Sequence, residues 1–429
     1  MKTSIRTLVS AGIIAAVAGT TSLAQATETI KVGILHSLSG TMAISETTLK
    51  DTMLMLIDAQ NKKGGLLGKK LEPVVVDPAS NWPLFAEKAR ELIEKHKVSV
   101  IFGNWTSVSR KSVLPVIEEL NGMLFYPVQY EGEESSRNVF YTGAAPNQQA
   151  IPAVDYLMSE EGGSVKRFAL LGTDYVYPRT TNKILESYLK AKGISAEDII
   201  VNYTPFGHSD WQTIVGDVKK FGSAGKKTAV VSTINGDANV PFYKELGNQG
   251  IKAEDIPVVA FSVGEEELAG LDTTPLVGHL AAWNYFMSID TPENAAFIDK
   301  WHAFIKDEKR VSNDPMEAHY IGFNMWVQAA QQAGTTDVDA VRQAMYGQKF
   351  KNLTGGIAVM NTNHHLSKPV LVGEIQADGQ FETVWSTDGV VKGDAWTDFL
   401  PESAKLTADW TYPWICGNCE KPKHAATSM

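Results

Sequence analysis

The chain has 429 residues, of which 44% are hydrophobic and 21% are charged, a composition typical of globular proteins and not of disordered chains. Its length exceeds what one hydrophobic core usually serves, so we expect two lobes. The net charge of -10 argues against nucleic acid as the main partner, because a phosphate backbone favours a basic surface.

Residues 1–26 are typical of a secretory signal peptide. Lys2 and Arg6 precede an apolar stretch that is too short for a membrane-spanning anchor, and the sequence AQA at residues 24–26 matches a cleavage site. We therefore expect an exported protein that begins near Thr27. In a bacterium with two membranes it would lie in the periplasm.

The mature chain alternates predicted strands with predicted helices. The strands are predicted at 30–35, 71–76, 98–102, 123–126, 167–171, 199–203, 228–232, 257–261 and 279–286. The helices are predicted at 46–62, 83–96, after Ser107, and at 179–192, 211–221, 240–247, 292–306 and 316–333. Such alternation predicts parallel sheets with helices on both faces. The pattern restarts near Pro146, and a β-rich end follows from Gly356 to Trp385, so we predict two similar α/β lobes.

Polar and aromatic residues collect directly after the predicted strands. In open α/β sheets ligands bind beyond the carboxyl ends of the strands, and two such edges can close around a ligand. The candidates are Trp105, Thr106, Ser107, Gln129, Asp174, Tyr175, Tyr177 and the run Glu265 to Glu267. Thr106 and Ser107 also fit an ordinary helix cap, the tyrosines fit loop packing, and the glutamates fit a solvated helix start. Arg110 and Lys111 are expected on the helix surface.

Five stretches in the same order resemble one protein family: WTSVSRKSVLPV, YPVQYEGEE, GAAPNQQ, TDYVYPR and FSVGEEEL. The chain resembles the type I periplasmic solute-binding proteins of the branched-chain amino acid class over residues 30–410. Within that class it is most similar to the urea-binding and short-chain amide-binding members. The resemblance implies two Rossmann-like lobes that are joined by three crossovers, with the ligand cleft between them.

This fold implies a division of the chain into interleaved segments. Residues 27–145 with about 276–355 are expected to form the first lobe, and residues 146–275 with about 356–405 the second. Residues 406–429 form a tail. The hinges are expected near Pro146, Leu276 and Gly355.

The resemblance also implies a function and a site. The protein would capture urea by lobe closure and deliver it, as a monomer without a cofactor, to the permease subunits of an ABC transporter. Alternatives are a binding protein for short-chain amides or a branched-chain amino acid, or a ligand-sensing receptor subunit. The implied site comprises Trp105, Thr106, Ser107, Tyr126, Gln129, Tyr175, Tyr177 and Glu265.

The chemistry of these side chains fits urea, which offers four N–H donors and one carbonyl acceptor. Hydroxyl groups can donate or accept, and a carboxylate such as Glu265 or Asp174 can accept from an NH2 group. Trp105 and Tyr126 can cover the planar faces of the ligand. We expect Glu265→Gln to weaken urea binding.

The sequence offers no enzyme signature. It contains no GxSxG, HExxH or P-loop motif, and its nine His residues do not form a set with metal-ligand spacing. Its two cysteines, Cys416 and Cys419, lie in the tail, and an oxidising compartment favours a disulfide between them. Redox catalysis and metal binding are the alternatives for this pair.

Overall fold

The computed structural model describes residues 28–401 and residue 403. Two predicted features lie outside these residues: the signal peptide over residues 1–26, and the predicted disulfide between Cys416 and Cys419. Among the described helices, none is long and apolar enough to span a membrane.

The first lobe is built on a five-stranded parallel sheet of order β2–β1–β3–β4–β5. Its strands are β1 Ile30–Leu35, β2 Leu71–Val76, β3 Val100–Gly103, β4 Leu124–Tyr126 and β5 Val139–Tyr141. The central strands are almost wholly buried because helices cover both faces, as in other parallel sheets. The first covering helices are α1 Ala43–Lys62, α2 Trp82–Arg90 with a π-helical turn at Glu91–Lys95, and α3 Ser107–Glu119.

The second lobe has a seven-stranded sheet of order β15–β14–β10–β9–β8–β6–β7. Its strands are β6 Arg167–Thr173, β7 Ile199–Thr204, β8 Thr228–Thr233, β9 Val258–Ala260, β10 Leu280–Trp283, β14 Leu371–Ile375 and β15 Phe381–Ser386. The first five of these pair in parallel, and β14 and β15 extend the sheet antiparallel. Its helices are α4 Ala150–Met158, α5 Val176–Ala191, α6 Gln212–Gly222, α7 Asn239–Asn248 and α8 Glu265–Leu268.

The chain returns to the first lobe after β10. Helices α9 Pro292–Ile305, α10 Asp314–Ala333 and α11 Val338–Met345 contribute Trp301 and Trp326, among others, to the first core. A small antiparallel sheet of β11 Lys349–Lys351, β12 Ile357–Met360, β13 Leu366–Lys368 and β16 Val391–Lys392 also packs on this core, through Ala358 and Met360. The five-stranded parallel sheet and the mainly parallel seven-stranded sheet confirm the predicted α/β fold with two lobes.

Two stretches of the chain lie in a different lobe from the one that was predicted. Strand β10 follows the expected boundary near 276, yet it pairs with β9 in the second sheet. Strands β12 and β13 follow the expected boundary near 355, yet they pack on the first core. The three segments in which the chain passes between the lobes come together at Asn284. Its Nδ2 donates to the carbonyl oxygens of Gln148 at 3.0 Å and Pro369 at 2.7 Å.

The two lobes are in contact across the cleft. Trp105 donates from Nε1 to Asn235 Oδ1 at 3.3 Å, and Ser45 donates from Oγ to Glu267 Oε1 at 2.6 Å. In each of these pairs the first residue belongs to the first lobe and the second residue to the second lobe. The structure therefore has a closed cleft.

Candidate functional site

The candidate site lies where the carboxyl ends of the two parallel sheets face each other. Trp105, Thr106 and Ser107 follow β3, Tyr126 ends β4, and Tyr175 and Tyr177 follow β6 at the start of α5. Gln129, three residues after β4, reaches across the cleft and donates from Nε2 to Ser262 Oγ at 2.6 Å. These seven predicted residues are all buried.

The turn between β3 and α3 brings the backbone very close to the first strand. A Cβ at Gly103 would lie 2.1 Å from the carbonyl oxygen of Leu35, so this position requires glycine. Asn104 follows with a left-handed φ of 72°. The turn directs the next three residues toward the opposite lobe.

The start of α3 is capped by Ser109 and not by the two hydroxyl residues before it. Ser109 Oγ accepts from the Thr106 backbone N–H at 2.8 Å and donates to the Thr106 carbonyl oxygen at 2.7 Å. The side chains of Thr106 and Ser107 are therefore not used for capping. The backbone N–H groups of the first turn have no partner within the helix.

Four buried polar atoms of the predicted site residues have no hydrogen-bond partner among the described residues. They are Thr106 Oγ1, Tyr126 OH, Gln129 Oε1 and Tyr177 OH. Burial raises the pKa of both tyrosines, so their hydroxyls stay protonated. Leaving such a group unpaired costs about 1–3 kcal/mol, and a ligand that pairs it recovers this free energy. All four groups are uncharged.

Aromatic rings enclose these polar atoms. The Trp105 indole is buried and is held by Asn235 from the second lobe. The Tyr175 ring lies 6.2 Å from the Tyr177 ring and 4.8 Å from the Phe206 ring, measured between centroids. These rings exclude water from the space between the lobes.

A charged cluster of three buried side chains and one half-buried side chain lies behind the site, and the sequence analysis missed it. It consists of Arg110, Lys111, Glu131 and Glu134 and is called the charged cluster below. Arg110 is fully buried, which corrects its expected place on the helix surface, and its guanidinium lies 4.5 Å from the Tyr126 ring centroid. A buried arginine requires paired carboxylates, and the EGEE stretch supplies them from Glu131 and Glu134, which follow Arg110 by 21 and 24 residues.

Arg110 donates from Nε to Glu134 Oε1 at 2.6 Å and from Nη2 to Glu131 Oε1 at 3.1 Å. Lys111 Nζ lies 2.6 Å from Glu134 Oε2 and 3.3 Å from Glu131 Oε1. Burial raises the pKa of Glu134, but the two cations outweigh burial and hold that pKa at about 2. Two positive and two negative charges therefore cancel within the charged cluster.

The two remaining predicted carboxylates, Asp174 and Glu265, are each paired with a residue outside the predicted site. Asp174 is exposed, and its Oδ1 accepts from Arg179 Nε at 2.5 Å. Glu265 is buried, and its Oε1 accepts from the Met287 backbone N–H at 2.6 Å. Burial raises the pKa of Glu265 to about 8. Neither carboxylate has a described side-chain hydrogen bond to any of the other seven candidates, so a ligand role for Asp174 or Glu265 stays a prediction.

Comparison with known proteins identifies the family. The family model of the periplasmic binding protein domain matches residues 30–402 of this chain. The chain is 24% identical over 384 residues to Leu/Ile/Val-binding protein homolog 7 of Brucella melitensis, which covers 84% of this chain and 92% of that protein.

Two further similarities support less: one concerns the fold alone, and the other concerns only part of the chain. A solute-binding protein of an ABC transporter from Rhodopseudomonas palustris HaA2, solved with p-hydroxybenzoic acid, superposes with a TM-score of 0.73. It is 21% identical and covers 86% of this chain and 99% of its own, which shows the shared fold. A protein named limonene hydroxylase from Geobacillus stearothermophilus is 30% identical over 136 residues, but this chain spans only 25% of that protein's length.

The relatives that align over most of this chain are solute-binding proteins and not enzymes. The family match extends over nearly all of the described residues and includes both lobes and the cleft between them. This chain belongs to the periplasmic binding protein domain family.

Proposed function

We propose that this protein captures urea between its lobes in the periplasm and delivers it to the permease of an ABC transporter. The family implies the periplasmic location and the permease as partner. The identity of the ligand and the signal peptide over residues 1–26 are proposals.

The observation that carries the proposal is the chemistry of the unpaired atoms. Thr106, Tyr126 and Tyr177 present hydroxyls that can donate or accept, and Gln129 presents a carbonyl oxygen that can only accept. A small neutral ligand with both N–H donors and a carbonyl oxygen satisfies this set. Urea has this composition, and the rings of Trp105 and Tyr175 suit its planar shape.

The balance of charge also favours a neutral ligand. Arg110 is the buried cation behind the site, and its guanidinium is already paired with Glu131 and Glu134. A charged ligand would therefore enter a closed, water-poor space without a free counter-ion from the charged cluster. An unpaired buried charge is strongly unfavourable.

A second candidate is a branched-chain amino acid, which the names of the curated relatives favour. The first turn of α3 offers backbone N–H groups to a carboxylate. The ammonium group would need a carboxylate, and Glu265 is the buried one among the predicted candidates. Short-chain amides and a sensory role stay as further alternatives to a urea transporter subunit.

Calorimetric titration of the chain from Thr27 onward distinguishes these candidates. Urea, acetamide, leucine and p-hydroxybenzoate are titrated in parallel at one pH. We expect urea to bind most tightly and leucine to give no heat. Binding of leucine or p-hydroxybenzoate without binding of urea would overturn the proposed ligand and leave the family assignment intact.

A further inference from the structure

The hydroxyl of Ser107 is held between two charged side chains of the charged cluster. Ser107 Oγ donates to Glu131 Oε2 at 2.5 Å. Arg110 donates from Nη1 to the same Ser107 oxygen at 3.2 Å. All three side chains are buried, so water does not compete for these bonds.

The direction of both hydrogen bonds follows from the charges. A guanidinium group has no acceptor, so Ser107 cannot donate its proton to Arg110. Glu131 Oε1 faces Arg110 and Lys111 at 3.1 and 3.3 Å, and an ionised carboxylate can only accept. Ser107 therefore donates its hydroxyl proton to Glu131. Its oxygen accepts from Arg110 with one lone pair, so the second lone pair remains to accept another hydrogen bond.

Ser107 lies next to two of the unpaired atoms of the site. Thr106 Oγ1 belongs to the preceding residue, and the Tyr126 hydroxyl lies close enough to Ser107 for the two side chains to interact. The remaining lone pair of Ser107 is thus one more hydrogen-bond acceptor beside the unpaired atoms of the site.

We propose that Glu131 and Arg110 fix the Ser107 hydroxyl as a hydrogen-bond acceptor, and that this acceptor selects ligands with an unsubstituted NH2 group. This inference rests on the proposed function, because it assumes that a small neutral amide or urea occupies the site. Glu131 is then a positioning residue that acts through Ser107. A site built to accept an N–H donor rejects a ligand of similar shape that lacks this donor.

Glu134 provides a matched control within the same cluster. It pairs with Arg110 and Lys111 and accepts from Tyr141 OH at 2.7 Å, and none of its described contacts is with Ser107. Glu131→Gln and Glu134→Gln each remove one negative charge from the charged cluster. Only Glu131→Gln changes the partner of the Ser107 hydroxyl.

The chemistry of the amide predicts the effect of Glu131→Gln. The new carbonyl oxygen should turn toward the two cations, which leaves the NH2 group facing Ser107. The amide then donates to Ser107, and the serine proton is released toward the ligand. In this variant the Ser107 hydroxyl would present a donor to the NH2 group of the ligand, whereas in the wild type it presents an acceptor.

The test uses three ligands of similar shape, in which methyl groups replace NH2 groups stepwise: urea, acetamide and acetone. Calorimetric titration, with displacement of urea for the weaker ligands, gives the ratio of urea affinity to acetone affinity. We expect Glu131→Gln to lower this ratio by about tenfold or more and Glu134→Gln to keep it within about twofold. Ser107→Ala, which leaves all charges in place, should also lower the ratio.

Each outcome has a distinct meaning. If the wild-type protein binds urea and both glutamine variants keep the ratio, the inference is overturned and the proposed function stands. If Glu131→Gln does not fold, an unchanged ratio in Ser107→Ala overturns the inference in the same way. If the wild-type protein binds none of the three ligands, the proposed function fails, and this inference fails with it.

Discussion

Tyr177 keeps its hydroxyl between the two lobes with no hydrogen-bond partner among the described residues. Its neighbours include Ser262, Gln129 and Tyr126, which places it at the centre of the proposed site. We expect Tyr177→Phe to weaken urea binding by about 2- to 10-fold, because one hydrogen bond to the ligand is lost. Calorimetric titration measures this change.

Tyr243→Phe is the matched control for this variant. The Tyr243 hydroxyl is also buried and unpaired among the described residues, but it lies in the core of the second lobe with Phe242 and Leu246. Removing it should leave urea affinity unchanged. Equal effects of the two variants on affinity would contradict a ligand role for Tyr177.

Glu265 should make stability depend on pH. Burial raises its pKa to about 8, so the folded state binds its proton more tightly than the unfolded state. The stability that this proton contributes is complete below the unfolded pKa near 4.5 and is lost as the pH rises through about 8.

Glu265→Gln carries a neutral side chain at every pH and removes this dependence. Between pH 6 and pH 9, we expect the wild type to lose about 1–3 kcal/mol of unfolding free energy relative to Glu265→Gln. Guanidinium chloride denaturation at the two pH values measures the difference, since urea is the proposed ligand. A difference that does not change with pH would place the Glu265 pKa outside this window. The affinity of this variant for urea separately tests the predicted ligand role of Glu265.

At the scale of elements, a buried ion cluster joins α10 to β13. Lys368 Nζ lies 3.2 Å from Glu317 Oε2 and 3.7 Å from Asp314 Oδ2, and all three side chains are buried. Asp314 also accepts from the Asn284 backbone N–H at 2.9 Å, beside the point where the chain crosses between lobes. The cluster therefore holds the crossing segments against the first lobe.

Lys368→Met would leave two buried carboxylates without a cation. We expect a loss of roughly 3–5 kcal/mol in the free energy of unfolding, because an unpaired buried charge is costly. Guanidinium chloride denaturation followed by circular dichroism measures the loss. Lys351→Met is the control, since Lys351 is exposed and pairs with Glu293 at the surface. A loss in Lys368→Met no larger than in Lys351→Met would contradict the role of the cluster.

Most elements could be predicted from their periodicity, and the exceptions are short or depend on distant partners. The predicted helix over 316–333 is observed as α10 from Asp314, and the predicted strand over 30–35 is β1. Strand β5 and helices α4 and α11 were not predicted. The three residues of β5 show no clear period, and they form a strand because β4 lies beside them.

At the scale of the whole molecule, closure of the lobes is supported by contacts that do not belong to the proposed ligand set. The Ser45 hydroxyl on α1 donates to Glu267 on α8 across the cleft. Ser45→Ala removes this bond only from the closed form. We expect it to weaken urea binding by about 2- to 10-fold, because closure becomes less favourable.

Small-angle X-ray scattering with and without urea, together with calorimetry, tests this prediction. Thr47→Val is the control, because the Thr47 hydroxyl bonds to the Ala43 carbonyl within the same helix. We expect Thr47→Val to match the wild type in both measurements. Wild-type affinity in Ser45→Ala would show that this contact does not contribute to closure.

The sequence by itself determined the α/β class, the two lobes and most of the residues at the carboxyl ends of the strands. These features follow from local periodicity and from the edge where parallel strands end, so they can be derived without distances. Trp105, Gln129 and Tyr177 were predicted in this way, whereas Tyr126 was implied by the family resemblance.

The tertiary structure decided which polar atoms remain unpaired and where the charges lie. Arg110 was predicted on the helix surface, because helical position alone does not reveal partners such as Glu131 and Glu134. Asp174 was predicted to accept from a ligand NH2 group, and in the structure it pairs with Arg179. Side-chain pairing depends on residues that are distant in the sequence, so it emerges only when both lobes and the loops between their strands are packed together.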